Sequence, residues 1–116
     1  MKVFTDANFD QQVLQAQEPV IVDFWSTGCG QPCTDTEQML QGLVPMYPND
    51  SFGTLQTDTN PVTTARYQIT VLPTVMIFYH GVVVNRFNGP PTQIQMITAL
   101  NALIGVPQEE GVEREK

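Results

Sequence analysis

Residues 20–33 of the chain read VIVDFWSTGCGQPC, and this stretch predicts the centre of the fold. Its first six residues are rich in β-branched and aromatic types and are apolar on both alternations except for Asp23, which is typical of a strand covered on both faces. Pro32 and Cys33 indicate a helix start, because a proline in the first helical turn loses no N–H group that the helix needs. We therefore expect a central strand, a loop of small residues and a helix.

Outward from this stretch, the chain alternates segments of helical and strand periodicity. The pair His80-Gly81 between two strand-like segments indicates an antiparallel hairpin. After a first strand, we expect a helix over 6–17, a strand over 20–25, a helix from 32 to about 47, a strand over 52–58, a helix over 60–67, strands over 75–79 and 82–87, and a helix over 92–104. This order predicts an α/β fold with a mixed central sheet, parallel strands plus a C-terminal antiparallel hairpin, flanked by helices.

Three of the predicted helices carry capping signals. Thr5 or Asp6 precedes the first helix and Asn60 precedes the third, while Thr92 and Gln95 have the spacing of a capping box before the last. We expect the buried face of that last helix to consist of Ile94, Ile97, Leu100 and Ile104, and we assign Phe9, Phe24 and Phe78 to the core.

Composition predicts one small domain. The 116 residues are 41% hydrophobic, which suffices for a single buried core, and we place the domain at residues 1–106. Residues 107–116 contain four glutamates and little apolar surface, so we expect an acidic, disordered tail.

The charge balance excludes several partners. Five basic residues against 12 acidic ones give a formal net charge of -7, and the basic residues are scattered, so neither nucleic acid nor an anionic membrane surface is expected to bind. The longest apolar run, residues 71–79, is far shorter than the ~20 residues of a membrane helix. The N-terminus lacks the apolar segment of a secretory signal. We expect a cytoplasmic monomer.

The two cysteines are the candidate reactive residues. Both lie between the central strand and the N-terminus of a helix, whose free N–H groups and partial positive charge favour a thiolate. Cys29 is the candidate nucleophile. Cys33, shielded in the first helical turn, is the candidate resolving thiol that attacks a mixed disulfide at Cys29.

Other interpretations of these cysteines stay open. They include a structural disulfide, two inert buried cysteines, and an iron–sulfur cluster shared by four cysteines of a dimer. A zinc site is disfavoured because zinc usually takes four ligands, whereas the chain has two cysteines and one histidine, His80. We expect neither a metal nor another cofactor.

The chain resembles the thioredoxin family over roughly residues 3–104. The resemblance rests on separated motifs: VDFW at 22–25 followed by the cysteine loop, DTNP at 58–61, LPT at 72–74, Gly81 in the hairpin and Gly89 before the last helix. It implies that Cys29 and Cys33 form a dithiol and that Asp23 assists proton transfer at Cys33. It also implies that Pro73 is a cis-proline beside the disulfide of these two cysteines. It further implies a substrate-binding surface of Trp25, Gly28, Gly30, Gln31, Pro32, Leu72, Pro73 and Gly89.

Several positions depart from the family pattern. Three residues rather than two separate the cysteines, and Gln31 is the extra one. Thr54 stands where a lysine near Asp23 is common, so we expect Asp23 to be more strongly protonated than is usual. The remaining departures lie around the cysteines: Gly28 for a second tryptophan, Thr34 for a lysine and Gln38 for a proline.

The resemblance implies a thiol–disulfide oxidoreductase that acts on protein disulfides and is returned to the dithiol by a thioredoxin reductase or a thiol reductant. The alternative is a protein-binding module of the same fold that keeps the groove at Leu72-Pro73 and uses the cysteines weakly or not at all. The extra Gln31 and the altered residues around the cysteines favour this alternative.

Overall fold

A five-stranded sheet forms the centre of the computed structural model, which describes residues 1–104. Its strands, in the spatial order β1-β3-β2-β4-β5, are β1 (Lys2–Phe4), β2 (Val20–Trp25), β3 (Ser51–Gln56), β4 (Thr74–Tyr79) and β5 (Val82–Asn88). β3 is parallel to β1 and to β2, whereas β4 is antiparallel to both β2 and β5. The predicted mixed sheet and the central position of β2 are confirmed.

Helical segments connect these strands. Among the described residues the α-helices are α1 (Gln31–Leu43), α2 (Pro61–Arg66) and α3 (Gln93–Ile104), with a π-helical turn at Asp10–Leu14 and 3₁₀ turns at Val44–Met46 and Thr57–Thr59. None of the helices within residues 1–104 is long and apolar enough to cross a membrane. The predicted acidic tail at 107–116, and the last two residues of the predicted domain, lie outside the described part of the chain.

The alternation of side chains along β2 divides the core into two layers. Ile21 belongs to the layer under α1 and α3, and Asp23 lies on that same face of the sheet because it is two residues further along the strand. The opposite layer contains Phe9, Phe24 and Phe78, which are all buried as predicted. The rings of Phe9 and Phe78 meet edge to face, with their centroids 5.5 Å apart.

The segment predicted as a helix over 6–17 is helical only in part, and this prediction is wrong in extent. The π-helical turn covers Asp10–Leu14. Before it, Thr5 and Asn8 bond to each other: the Asn8 N–H donates to Thr5 Oγ1 over 3.2 Å and the Thr5 N–H to Asn8 Oδ1 over 2.8 Å. This reciprocal pairing has the geometry of a capping box, as predicted for Thr5, and the helical turn at Asp10–Leu14 follows it. Phe9 is nevertheless buried as expected, and Val13 is buried as well.

The cap of α2 also differs from the prediction. Asn60 occupies the position before the helix, but its side chain makes no capping bond. It instead accepts from the Asp6 N–H over 2.8 Å. The Asp6 carboxylate caps α2 in its place, accepting from the N–H groups of Val62 and Thr63 over 3.1 and 2.8 Å.

The last helix confirms its predicted cap but only half of its predicted buried face. The Thr92 N–H donates to Gln95 Oε1 over 2.9 Å and the Gln95 N–H to Thr92 Oγ1 over 3.1 Å. Leu100 is buried and Ile97 is partly buried, whereas Ile94 and Ile104 are 76% and 64% exposed. The residues that face the sheet have the expected spacing of three and four, but the pattern begins at Met96 and not at Ile94. They are Met96, Ala99, Leu100 and Leu103.

Helix α1 also ends earlier than predicted, at Leu43 rather than near residue 47. The 3₁₀ turn that follows contains Pro45, which has no N–H group for the next helical hydrogen bond. Tyr47 remains buried and donates from its hydroxyl to Asn101 Oδ1 over 2.8 Å, which ties the end of this segment to α3.

Candidate active site

A disulfide joins Cys29 to Cys33, and their Cα atoms are 5.8 Å apart. Cys29 lies in the loop after β2 and is half-buried, whereas Cys33 lies in the first turn of α1 with only 5% of its surface exposed. The two cysteines therefore differ in their access to solvent. This difference matches the predicted division between an accessible cysteine and a shielded one.

The extra residue between the cysteines lies within the helix. α1 begins at Gln31, and the residue before it, Gly30, has φ = +77°, a conformation that glycine adopts without strain. Gln31 donates from its side-chain amide to Asp35 Oδ1 over 2.7 Å. The first turn of α1 thus absorbs the additional residue, with Pro32 as its second residue.

Asp23 is fully buried under α1, and neither of its carboxylate oxygens has a hydrogen-bond partner. Burial disfavours the ionised form, and the nearby negative charge of Glu37 adds to this effect, so the pKa of Asp23 is raised to about 7. The neighbour of Asp23 on β3 is Thr54, which carries no charge. With this pKa, Asp23 is partly protonated near neutral pH, and none of its surface reaches solvent.

The predicted substrate-binding segments meet at one end of the sheet. Phe24 pairs with Thr74, so the loop after β2 and the residues before β4 lie at the same edge. The peptide bond between Leu72 and Pro73 is cis, and Pro73 is buried. The Gly89 N–H donates to the Pro73 carbonyl over 2.8 Å, which brings the third predicted segment to this edge.

One contact at this edge was not predicted. The Thr27 hydroxyl donates to Asp58 Oδ2 over 3.0 Å, and the Thr27 N–H donates to the same oxygen over 3.5 Å. These bonds hold the pKa of Asp58 below its usual range and tie the cysteine loop to the segment after β3. The signal was available in the sequence pattern, because residues that follow two neighbouring parallel strands emerge at the same sheet edge.

A small cavity of about 140 Å³ opens beside Cys33. Its walls come from the end of β2, the cysteine loop and the first turns of α1: Trp25, Ser26, Thr27, Gly30, Cys33, Thr34 and Glu37. Glu37 is half-buried there, four residues after Cys33. Within residues 1–104, no three side chains of His, Cys, Asp or Glu are grouped so that they could hold a metal ion.

Comparison with known proteins identifies the family. Residues 1–102 match the model of the thioredoxin family. The chain belongs to this family. It is 34% identical over 101 residues to a thioredoxin of Mycobacterium bovis, with 86% of each chain covered, and 35% identical over 101 residues to a thioredoxin of Porphyra purpurea, with 86% of this chain and 94% of the relative covered.

A thioredoxin with a disulfide between Cys29 and Cys33 is a thiol–disulfide oxidoreductase, and the pair is its redox-active centre. The family also implies protein substrates and a reductase as partners. A further relative, the bifunctional thioredoxin reductase/thioredoxin of Mycobacterium leprae, is 33% identical over 101 residues, which are 86% of this chain and 22% of that protein.

Proposed function

We propose that Cys29 is the nucleophile and Cys33 the resolving thiol of a protein disulfide reductase. The observation that carries this assignment is their unequal exposure: Cys29 is partly exposed, whereas only 5% of the surface of Cys33, in the first turn of α1, is exposed. A protein disulfide is too bulky to reach a sulfur that is enclosed in a helical turn. The N-terminus of α1 favours the thiolate form of the accessible cysteine.

The reaction proceeds through two exchanges. The Cys29 thiolate attacks one sulfur of the substrate disulfide, forms a mixed disulfide and releases the other substrate sulfur as a thiolate. The Cys33 thiolate then attacks the Cys29 sulfur, forms the disulfide seen here and releases the second substrate thiolate. Two electrons pass from the dithiol to the substrate, and a thioredoxin reductase or a thiol reductant restores them.

Asp23 accepts the proton of Cys33 before the second exchange. Three observations support this role of Asp23: it lies on the sheet face under α1, it is buried, and its pKa is raised to about 7. Such a pKa suits a carboxylate that must accept a proton near neutral pH.

Substrate binds along the sheet edge beside the disulfide. The Val71 carbonyl accepts from Thr74 Oγ1 over 2.6 Å, and the Pro73 carbonyl accepts from the Gly89 N–H over 2.8 Å. The carbonyls on both sides of Leu72 are therefore already hydrogen-bonded within the protein. An extended substrate segment pairs with the backbone of Leu72, as in other cases of strand addition. The contact surface is completed by Trp25, Gly28, Gly30, Gln31, Pro32 and Gly89.

The protein works as a cytoplasmic monomer with a reductase as its electron donor. The name of the Mycobacterium leprae relative joins a thioredoxin reductase and a thioredoxin in one polypeptide, which supports a reductase as the donor class. Its negative charge and scattered basic residues support protein substrates rather than nucleic acid.

A trapping experiment tests the cysteine roles. Cys33→Ser should accumulate a mixed disulfide with a substrate protein, because no thiol remains to release it, whereas Cys29→Ser should form none. Thiol alkylation and mass measurement read both outcomes.

In parallel, the wild-type pair should titrate as one two-electron couple in thiol buffers, and a potential near about -270 mV would place it with reducing thioredoxins. Trapping by Cys29→Ser instead would reverse the roles, and a pair that never forms a disulfide in solution would favour a binding module.

A further inference from the structure

The turn that presents Cys29 is not part of α1. The Cys29 N–H donates to the Ser26 carbonyl over 3.1 Å, which closes a turn over residues 26–29. Cys33, in contrast, belongs to the first turn of α1. Gly30 lies between them with φ = +77°, outside the helical range, so the helix that fixes Cys33 does not fix Cys29. The position of Cys29 must therefore be held from the side of β2.

Packing contributes little to holding this turn. Thr27 and Gly28 at its tip are exposed. A Cβ atom added at Gly28 or at Gly30 would meet no atom within 4 Å in the described part of the chain, apart from those of its chain neighbours. The cavity of about 140 Å³ lies between the turn and the start of α1. Bringing Cys29 to Cys33 therefore requires ordering a segment that has few packing contacts, and this costs conformational entropy.

Thr27 ties the turn to a different segment of the chain. Its hydroxyl donates to Asp58 Oδ2 over 3.0 Å, and its N–H donates to the same oxygen over a longer 3.5 Å. Within residues 1–104, Thr27 is the only residue of the turn whose side chain hydrogen-bonds to another segment. One carboxylate oxygen thus accepts from both polar groups at the tip of the turn.

The segment that carries Asp58 is itself well anchored. Asp58 lies in the 3₁₀ turn after β3, where the Thr57 hydroxyl donates to Asp58 Oδ1 over 3.4 Å. The buried Asn60 donates from its side-chain amide to the Gln56 carbonyl over 2.9 Å and accepts from the Asp6 N–H over 2.8 Å. Since Gln56 ends β3 and Asp6 follows β1, the Asp58 segment is tied to two neighbouring strands.

We propose that Asp58 is a positioning residue for closure of the disulfide between Cys29 and Cys33. Through Thr27, its carboxylate holds the turn where the Cys29 sulfur meets that of Cys33. This role rests on the proposed function of the cysteines. Asp58 acts through Thr27 and not on the sulfurs themselves.

The step that Asp58 assists is the second exchange. The Cys33 thiolate attacks the Cys29 sulfur of the mixed disulfide, the bond from that sulfur to the substrate sulfur breaks, and the substrate leaves as a thiolate with the electron pair. A hydrogen bond that orders the turn beforehand lowers the entropy cost of this closure. The effect is reciprocal, because the closed disulfide also holds Thr27 where it meets Asp58.

Equilibration with reduced and oxidised glutathione separates the two exchanges. Protein with Cys33→Ser stops at the mixed disulfide and gives the equilibrium constant of the first exchange, whereas the intact pair gives the constant of both exchanges together. The second value divided by the first is the closure constant. Acid quenching, alkylation of free thiols and mass measurement count each species. Because closure joins two folded states, a change in overall stability does not alter this constant.

The variants distinguish the hydrogen bond from the charge. Asp58→Ala removes the acceptor and Thr27→Val removes the hydroxyl donor, and we expect each to lower the closure constant by about threefold, a modest effect because both side chains are exposed. The double variant should lose no more than either single variant, because both break the same bond. Asp58→Asn keeps an acceptor and Thr27→Ser keeps a hydroxyl, so both should retain most of the closure constant. The control Asp35→Asn removes a charge from α1 without touching this bond and should close as the wild type does.

Three results would overturn the proposal. One is a closure constant that Asp58→Ala and Thr27→Val leave unchanged. Another is an equal loss in Asp58→Ala and Asp58→Asn with none in Thr27→Val, because the charge and not the hydrogen bond would then act. The third is full additivity in the double variant, since two losses from one bond cannot add. The proposed function fails differently, because the wild type would then form no internal disulfide with glutathione.

Discussion

Asp23 is an acid in the core, and its carboxylate oxygens have no hydrogen-bond partner that would stabilise the ionised form. Its folded pKa of about 7 lies above the ordinary value of 3.8, so the folded state holds this proton more tightly than the unfolded chain does. The stability due to the protonated form is complete below about pH 4 and is lost as pH rises through 7. Above that pH the ionised carboxyl costs up to about 4 kcal/mol of folding free energy, at ~1.4 kcal/mol per pH unit.

Asp23→Asn should remove this pH dependence. We expect the oxidised variant to be more stable than the oxidised wild type at pH 8, by up to about 4 kcal/mol, with the difference narrowing toward zero near pH 4. Urea unfolding at several pH values measures it. Asp50, whose pKa burial and Glu18 raise to about 6, is present in both proteins and cancels in the comparison. A difference in stability that does not change with pH would contradict the assigned pKa.

At the level of elements, Arg86 joins β5 to the chain that leaves α2. Its guanidinium donates to the carbonyls of Tyr67 and Gln68 over 2.6 and 3.0 Å, and to Asn88 Oδ1 over 2.9 Å. Such charged hydrogen bonds to carbonyl groups stabilise more than an exposed ion pair, because the carbonyls are fixed in place by the backbone.

Arg86→Ala should therefore lower the free energy of unfolding by about 1–2 kcal/mol, less than three buried bonds would contribute because the side chain is exposed. Arg66→Ala is the matched control. Its ion pair with Asp10 at 3.1 Å joins side chains that are 43% and 66% exposed, so its loss should cost below about 1 kcal/mol. Urea unfolding measures the free energy of unfolding of both variants. Equal decreases would contradict the stabilising role of the hydrogen bonds from Arg86 to the two carbonyls.

The order of these elements could be predicted because periodicity, turn residues and prolines act locally. The capping box of Thr92 and Gln95 was predictable for the same reason. The partners of Asp6 were not, because the residues it caps lie 56 and 57 positions away and only the folded chain brings them together. The π-helical turn and the true face of α3 likewise depend on how the helices pack against the sheet.

The candidate site, like the fold, could be predicted from the sequence only in part. The cysteine loop and Asp23 lie in one stretch of sequence, so their neighbourhood could be predicted from residues 20–33. The position of Glu37 near the site also follows from the sequence, four residues after Cys33, whereas the cavity that it lines could not be predicted, because it depends on the depth at which α1 sits on β2.

Over the whole molecule, the charges are unevenly distributed around the disulfide. Asp35, Glu37 and Asp58 lie on the segments that surround it. Lys2, in contrast, reaches Ser51 at the start of β3, whereas the cysteine loop follows the opposite end of the sheet. With a net charge of -7, the protein presents a negative field to any approaching disulfide, and this field favours cationic substrates.

This field predicts a charge-dependent rate. The reduced protein should react faster with the cationic disulfide cystamine than with the anionic dithiodipropionate, by about tenfold at low ionic strength, after each rate is divided by that of a neutral small dithiol. Raising the salt from about 0.01 M to about 1 M shortens the screening length from about 30 Å to about 3 Å, so the preference should largely disappear. A preference that persists at high salt would instead require a direct contact at the sheet edge beside Leu72, because short-range contacts survive screening and a long-range field does not.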